Sequence, residues 1–118
     1  MAVETTLTLY VGADQSLLID VEQSDLTTPQ TMTGWALAFV LRSSDDRLVV
    51  NKATGGSGIT IGNGAGTNDR ATVALADTDT TGWPAARAYS WARWRTDDST
   101  DVPLAYGPAV LVKVAAQV

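Results

Sequence analysis

Apolar and polar residues alternate with a period of two along most of the chain, and turn-forming residues bound each alternating run. This pattern is typical of strands that bury one face in a sheet. No long segment follows the helical period. We therefore predict an all-β protein, an antiparallel immunoglobulin-like β-sandwich of about seven to nine strands, forming a single domain over residues 1–118.

The strongest strand pattern spans residues 35–42. Trp35, Leu37, Phe39 and Leu41 share one face, and the residues between them are small or apolar. A strand that is low in charge on both faces is typical of the centre of a sheet. We expect this strand to lie centrally.

Turn signals place the other strands. Residues 6–11 and 16–22 flank a Gly-Ala-Asp turn, which predicts that they form a hairpin. Residues 53–69 contain six glycines, so we expect loops there, with only a two-residue bridge at Ile59 and Ile61. Further strands are predicted at 47–52, 70–76, 88–96, 102–106 and 109–118, the last two separated by Gly107 and Pro108.

Residues 77–82 are the place where the sequence predicts a helical turn. Asp77 or Asp79 could accept hydrogen bonds from the backbone N–H groups that follow. Gly82 and Pro84 would stop the helix from growing. We expect at most one short helical turn.

The composition excludes most catalytic sites. The chain has no cysteine and no histidine, so it cannot form a disulfide, a thiolate nucleophile, a Ser-His-Asp triad or an imidazole zinc site. Paired carboxylates could still hydrolyse glycosides. However, a chain of 118 residues leaves little material for the deep cleft that such a reaction needs. We predict that the protein is not an enzyme and uses no cofactor.

The charge and the hydropathy pattern exclude two classes of partner. Thirteen acidic and eight basic residues give a net charge of −5, which disfavours nucleic acid and anionic membranes. The first residues carry no secretion signal, and no segment approaches the roughly 18 apolar residues of a membrane span. We expect a soluble protein with neither nucleic acid nor membrane as a partner.

Aspartates and glycines suggest ligand sites, but a simpler interpretation is available. The EF-hand pattern of calcium sites requires a fixed glycine and a distal glutamate, and neither is in place. The glycines at 62–66 resemble a phosphate loop, but no helix or lysine follows at the required spacing. We interpret these residues as caps and turns and predict no metal site, although calcium in the acidic loop stays open. The aspartates in question are Asp77, Asp79, Asp97, Asp98 and Asp101.

Tryptophan and arginine alternate between residues 91 and 95. On a strand, Trp91 and Arg93 would face one way and Trp94 the other, so we expect one tryptophan in the core and one at the surface. The small, uncharged faces around Ala38 and Ala92 must be covered either by a second sheet or by a neighbouring copy. The predicted interface residues are Ala36, Ala38, Trp83, Arg93, Trp94 and Arg95.

The order of short motifs along the chain resembles a known group of proteins. The motifs include Val11-Gly12-Ala13-Asp14, Asp25-Leu26-Thr27, Thr33-Gly34-Trp35, Gly58-Ile59-Thr60-Ile61, Ala71-Thr72-Val73-Ala74-Leu75, Tyr89-Ser90-Trp91 and Leu104-Ala105-Tyr106-Gly107-Pro108. This succession resembles small β-sandwich proteins of tailed bacteriophages, such as the amino-terminal domain of baseplate upper proteins and related tail- or capsid-associated proteins. The resemblance implies a virion structural protein that docks onto other virion proteins and onto copies of itself.

A carbohydrate-binding or adhesive module is the alternative. In that hypothesis an exposed Trp94 or Trp83 stacks on a sugar ring while nearby aspartates bind its hydroxyls. It predicts a surface tryptophan beside a polar pocket.

Overall fold

The computed structural model describes residues 3–20, 30–64, 67–83, 86–97 and 102–113. These residues form nine strands and one helical turn: β1 Val3–Glu4, β2 Leu7–Tyr10, β3 Gln15–Asp20, β4 Leu37–Arg42, β5 Leu48–Ala53, β6 Ile59–Gly62, β7 Arg70–Leu75, α1 Asp77–Thr80, β8 Ala86–Arg95 and β9 Val102–Val112. The predicted motif at residues 25–27, the acidic residues 98 and 101, and the end of the last predicted strand lie outside the described residues.

Two sheets make up the fold. The first has the strand order β5–β4–β8–β9, with β1 and β2 both on the far side of β9, and the second has the order β3–β7–β6. Every pair is antiparallel except that β1 and β2 run parallel to β9. The predicted all-β sandwich is confirmed, while its immunoglobulin-like topology stays a prediction.

The core lies between the two sheets and follows the predicted alternation. Leu37, Phe39 and Leu41 of β4 are at most 1% exposed, and β4 lies between β5 and β8. The central strand is therefore confirmed. The Phe39 and Trp91 rings stack with centroids 6.4 Å apart, an arrangement that adds to the apolar burial. The second sheet contributes Ile59, Ala71, Val73 and Leu75 to the same core.

The predicted hairpin of the first two runs is wrong. β2 pairs with β9 in the first sheet, whereas β3 pairs with β7 in the second. The turn at residues 11–14 therefore carries the chain from one sheet to the other. Leu9 is buried and Leu17 packs against the same core from the opposite sheet. Alternation specifies which face of a strand is buried but not which strand it pairs with.

Two expectations about glycine segments are also corrected. Ile59–Gly62 is a four-residue strand, and it pairs with β7 along its length. Gly107 and Pro108 do not separate two strands, because β9 runs through them opposite Trp91 and Ser90. In a strand, glycine often marks a close approach of another backbone, and at Gly107 that backbone is the carbonyl of Thr5.

The short helical turn is confirmed, but its hydrogen bonds differ from those expected. Asp79 Oδ2 accepts a bond of 2.7 Å from the preceding backbone N–H of Ala76. The N–H of Asp77 donates to Asp14 Oδ1 at 2.7 Å. Lys52 Nζ lies 3.0 Å from Asp79 Oδ2, so Asp79 connects α1 to β5.

Candidate functional site

One surface of the first sheet points away from the core. Its middle rows place Ala38 opposite Trp94 and Val40 opposite Ala92, and Ala92 lies opposite Tyr106 of the next strand. Tyr106 is 44% exposed, and the other four are partly exposed. We call the surface formed by these five residues and by the next outward row, Arg42 opposite Ser90, the outer face.

An open depression of about 300 Å³ lies on the outer face. The register places the small row of Val40 and Ala92 between Trp94 on one side and the row of Arg42 and Ser90 on the other. The depression thus combines an aromatic ring, a guanidinium and a hydroxyl around a floor of small side chains. Its lining comprises Val40, Arg42, Ser90, Trp91, Ala92 and Trp94.

Arg42 is held at the rim of this depression. Its Nη1 donates to the backbone carbonyl of Asp46 at 3.2 Å, and its Nε lies 3.8 Å from the Asp46 carboxylate. The side chain of Arg42 remains 44% exposed. Surface ion pairs of this kind contribute little to stability, so Arg42 can exchange this contact for a ligand or a partner.

Trp94 differs from the other three tryptophans in its surroundings. Each of those lies under an arginine guanidinium, an arrangement in which the cation covers the aromatic face. Among the described residues no arginine lies over Trp94, and the Trp94 residue is partly exposed. The covered rings are Trp35 under Arg95 at 4.0 Å, Trp91 under Arg93 at 4.9 Å and Trp83 under Arg47 at 5.0 Å.

The structure separates the predicted interface residues into groups. Ala38 and Trp94 meet on the outer face. Ala36 lies just before β4, where its carbonyl accepts a bond of 2.8 Å from the Thr96 N–H. Arg93 lies over the core residue Trp91 and is therefore on the opposite side of β8 from Trp94. The surface role of these residues stays a prediction.

The remaining two predicted residues lie elsewhere. Trp83 follows α1, packs against the core and lies under Arg47. Arg95 lies over Trp35 beside the start of β4, and it forms two hydrogen bonds with Asp97 at 2.9 and 3.2 Å. Those bonds lower the pKa of Asp97 below its ordinary value of 3.8. Neither Trp83 nor Arg95 belongs to the outer face.

Sequence reasoning missed Arg42 and Tyr106 as members of this surface. Both lie where the alternation predicts an outward side chain. Their place beside Trp94 and Ala92 depends on the register between β4, β8 and β9. The sequence does not specify that register, because shifting one strand along its neighbour by an even number of residues leaves the alternation unchanged.

Neither a protein-family model nor a curated protein matches the chain. In the described part of the chain, no helix has the length and apolar character needed to cross a bilayer. The described residues also contain no cluster of three potential metal ligands.

Proposed function

We propose that the protein is a non-enzymatic structural component of a tailed-bacteriophage virion, and that it docks onto other virion proteins through the outer face. The observation that carries this proposal is the partly exposed Trp94 beside a row of small side chains on the outward side of the sheet. The order of short motifs along the chain supports the assignment to phage proteins. The β-sandwich fold agrees with it.

The residue types of the outer face suit a protein interface. Tryptophan, tyrosine and arginine are enriched among residues that dominate binding energy, and the surface offers Trp94, Tyr106 and Arg42. Small residues such as Ala38 and Ala92 allow a partner to approach the sheet closely. Burial of apolar surface contributes about 25 cal/mol per Å², and a partner carboxylate could pair with Arg42.

Sedimentation tests the proposal. The purified chain is mixed with capsid and tail proteins encoded by neighbouring genes, and complexes are detected by a shift in sedimentation coefficient. We expect Trp94→Ala and Ala92→Arg to abolish the complex while the chain stays folded. Thr60→Arg is the matched control, because Thr60 is exposed on the second sheet and its replacement adds the same charge away from the outer face.

Two results would contradict docking through this surface. One is a wild-type chain that sediments independently of every virion protein tested. The other is a complex that Ala92→Arg and Thr60→Arg weaken equally. Circular dichroism of each variant separates loss of binding from loss of folding.

Carbohydrate binding is the second candidate, and the depression is the observation that favours it. A tryptophan wall with a hydroxyl from Ser90 and a guanidinium from Arg42 provides stacking and hydrogen-bonding groups for a sugar. The lining contains no aspartate, which differs from the expected aspartate contacts. Glycan-array binding that Trp94→Ala removes and Trp94→Phe retains would support this function over protein docking. An array without binding would count against it.

A further inference from the structure

The outermost strands of a sheet present unpaired backbone N–H and C=O groups, and proteins normally protect these edges. The described strands form four sheet edges, of which three are protected. β6 has only four residues, and the edge formed by β1 and β2 is interrupted at residues 5 and 6. On β5, α1 packs beside the strand, Lys52 is paired with Asp79, and the pairing with β4 shifts in register.

The fourth edge, β3, has none of these devices among the described residues. Its six residues all pair with β7 on one side, and no strand of the described residues pairs with the other side. The strand contains no proline, glycine or lysine. Leu18 points away from the core and is 53% exposed, the largest exposed fraction among the four large apolar side chains that the described residues expose: Tyr10, Leu18, Leu48 and Tyr106.

We propose that β3 is a dimerisation edge at which β3 of a second copy adds in antiparallel orientation, with Leu18 opposite Leu18 of that copy. The two three-stranded sheets would then form one six-stranded sheet across a twofold axis. This interface goes beyond the proposed function, because it lies on the second sheet and does not involve the outer face.

The pleat and the side chains select this register. Residues opposite each other in an antiparallel pair point to the same face of the sheet. For two identical strands this requires a register centred on one residue, which then lies opposite its own counterpart across the twofold axis. Centring the axis on Leu18 covers the exposed leucine of each copy with that of the other. Residues 15–18 carry no charge, so two copies with a net charge of −5 each meet at this edge without like charges opposite each other. In this register Asp20 lies opposite the uncharged Ser16 of the other copy, and each exposed Leu18 meets an identical apolar side chain, so the edge is complementary to itself.

Single-cysteine variants test the register directly, because the chain has no native cysteine. Directly opposite Cβ atoms lie about 4.5–5.5 Å apart, close to disulfide geometry. Leu18→Cys should therefore form a disulfide-linked dimer under mild oxidation. In the matched control Ser16→Cys, which is exposed on the same face of β3, the two thiols would be displaced by four residues, roughly 13 Å along the strand. We expect its cross-linking to be at least about tenfold slower.

Sedimentation equilibrium tests the dimer without a covalent bond. The wild-type chain should be dimeric, and Leu18→Lys, which places like charges opposite each other, should be monomeric. Leu48→Lys is the control, because Leu48 is 48% exposed on a different edge and should leave the dimer intact. Trp94→Ala should also leave it intact, which separates this dimer from docking through the outer face. A monomeric wild type, or equal cross-linking of Leu18→Cys and Ser16→Cys, would overturn the proposal.

Discussion

The indole Nε1 of Trp91 donates a hydrogen bond of 3.1 Å to the backbone carbonyl of Thr5. Trp91 belongs to β8 and Thr5 lies between β1 and β2, so this bond passes across β9. Gly107 is the β9 residue opposite Trp91, and a Cβ at Gly107 would overlap the Thr5 carbonyl. Because Gly107 has no side chain, Trp91 and Thr5 can approach each other across β9. Their hydrogen bond connects the edge formed by β1 and β2 to the core.

Replacing Gly107 with alanine should displace this edge. The clash is with backbone atoms of Thr5, which cannot move aside as a flexible side chain could. We expect Gly107→Ala to lower the free energy of unfolding by about 1–3 kcal/mol, as overpacking does. Gly62→Ala is the control, because nothing lies within 4 Å of a Cβ at Gly62. Urea denaturation measures both, and equal effects would contradict the close approach.

Replacing Trp91 with phenylalanine removes the hydrogen bond to Thr5. The part-buried carbonyl would lose its indole partner, and the smaller ring would fill less of the core. We expect Trp91→Phe to cost about 1–3 kcal/mol of stability, the range for an unsatisfied buried group. Trp94→Phe, on the outer face, should change stability by less than about 0.5 kcal/mol. Similar losses in the two variants would mean that the Thr5 bond contributes little.

The two aspartates of α1 should differ in their effect on stability. Asp79 accepts the Ala76 N–H and pairs with Lys52, and its side chain is 21% exposed. Asp79→Ala should cost about 0.5–2 kcal/mol, as removal of a helix cap does. Asp77 is exposed, and Asp77→Ala should be nearly neutral. Thermal unfolding measures the stability that each variant loses, and a larger loss for Asp77→Ala than for Asp79→Ala would refute this assignment.

Alternation along the chain was sufficient to predict which side chains of the central strands are buried, but not the burial of Met32 and Thr80 outside the strands. It placed Leu37, Phe39 and Leu41 in the core, and it predicted that Trp91 and Trp94 face opposite sides of β8. These predictions hold because strand geometry sends successive side chains to opposite faces. For the same reason Ala38 and Ala92 could each be assigned to the small, uncharged face of its own strand.

The strand partners could not be predicted in this way. β2 and β3 have the alternation of a hairpin, but Gly12 turns the chain with a φ of +72° and its N–H donates to Thr80 Oγ1 at 2.9 Å. That bond joins residues 68 positions apart, so no local sequence pattern predicts it. The local pattern at Gly107 indicates a break for a similar reason, since the approaching carbonyl of Thr5 is distant in sequence. Long-range pairing therefore determines the part of the candidate site that the sequence does not specify.

The pair of Arg95 and Asp97 should make stability depend on pH in acid. The hydrogen bonds from Arg95 lower the pKa of Asp97 in the folded chain, so the unfolded chain binds a proton at higher pH than the folded chain does. The contribution is therefore complete above the unfolded pKa, about 3.9, and is lost as the pH falls through the lower folded pKa. Asp97→Asn should be less stable than the wild type at pH 6, and the difference should shrink towards pH 2. Thr8→Ala, an exposed uncharged control, should follow the wild type throughout, and a pH-independent difference for Asp97→Asn would contradict the linkage.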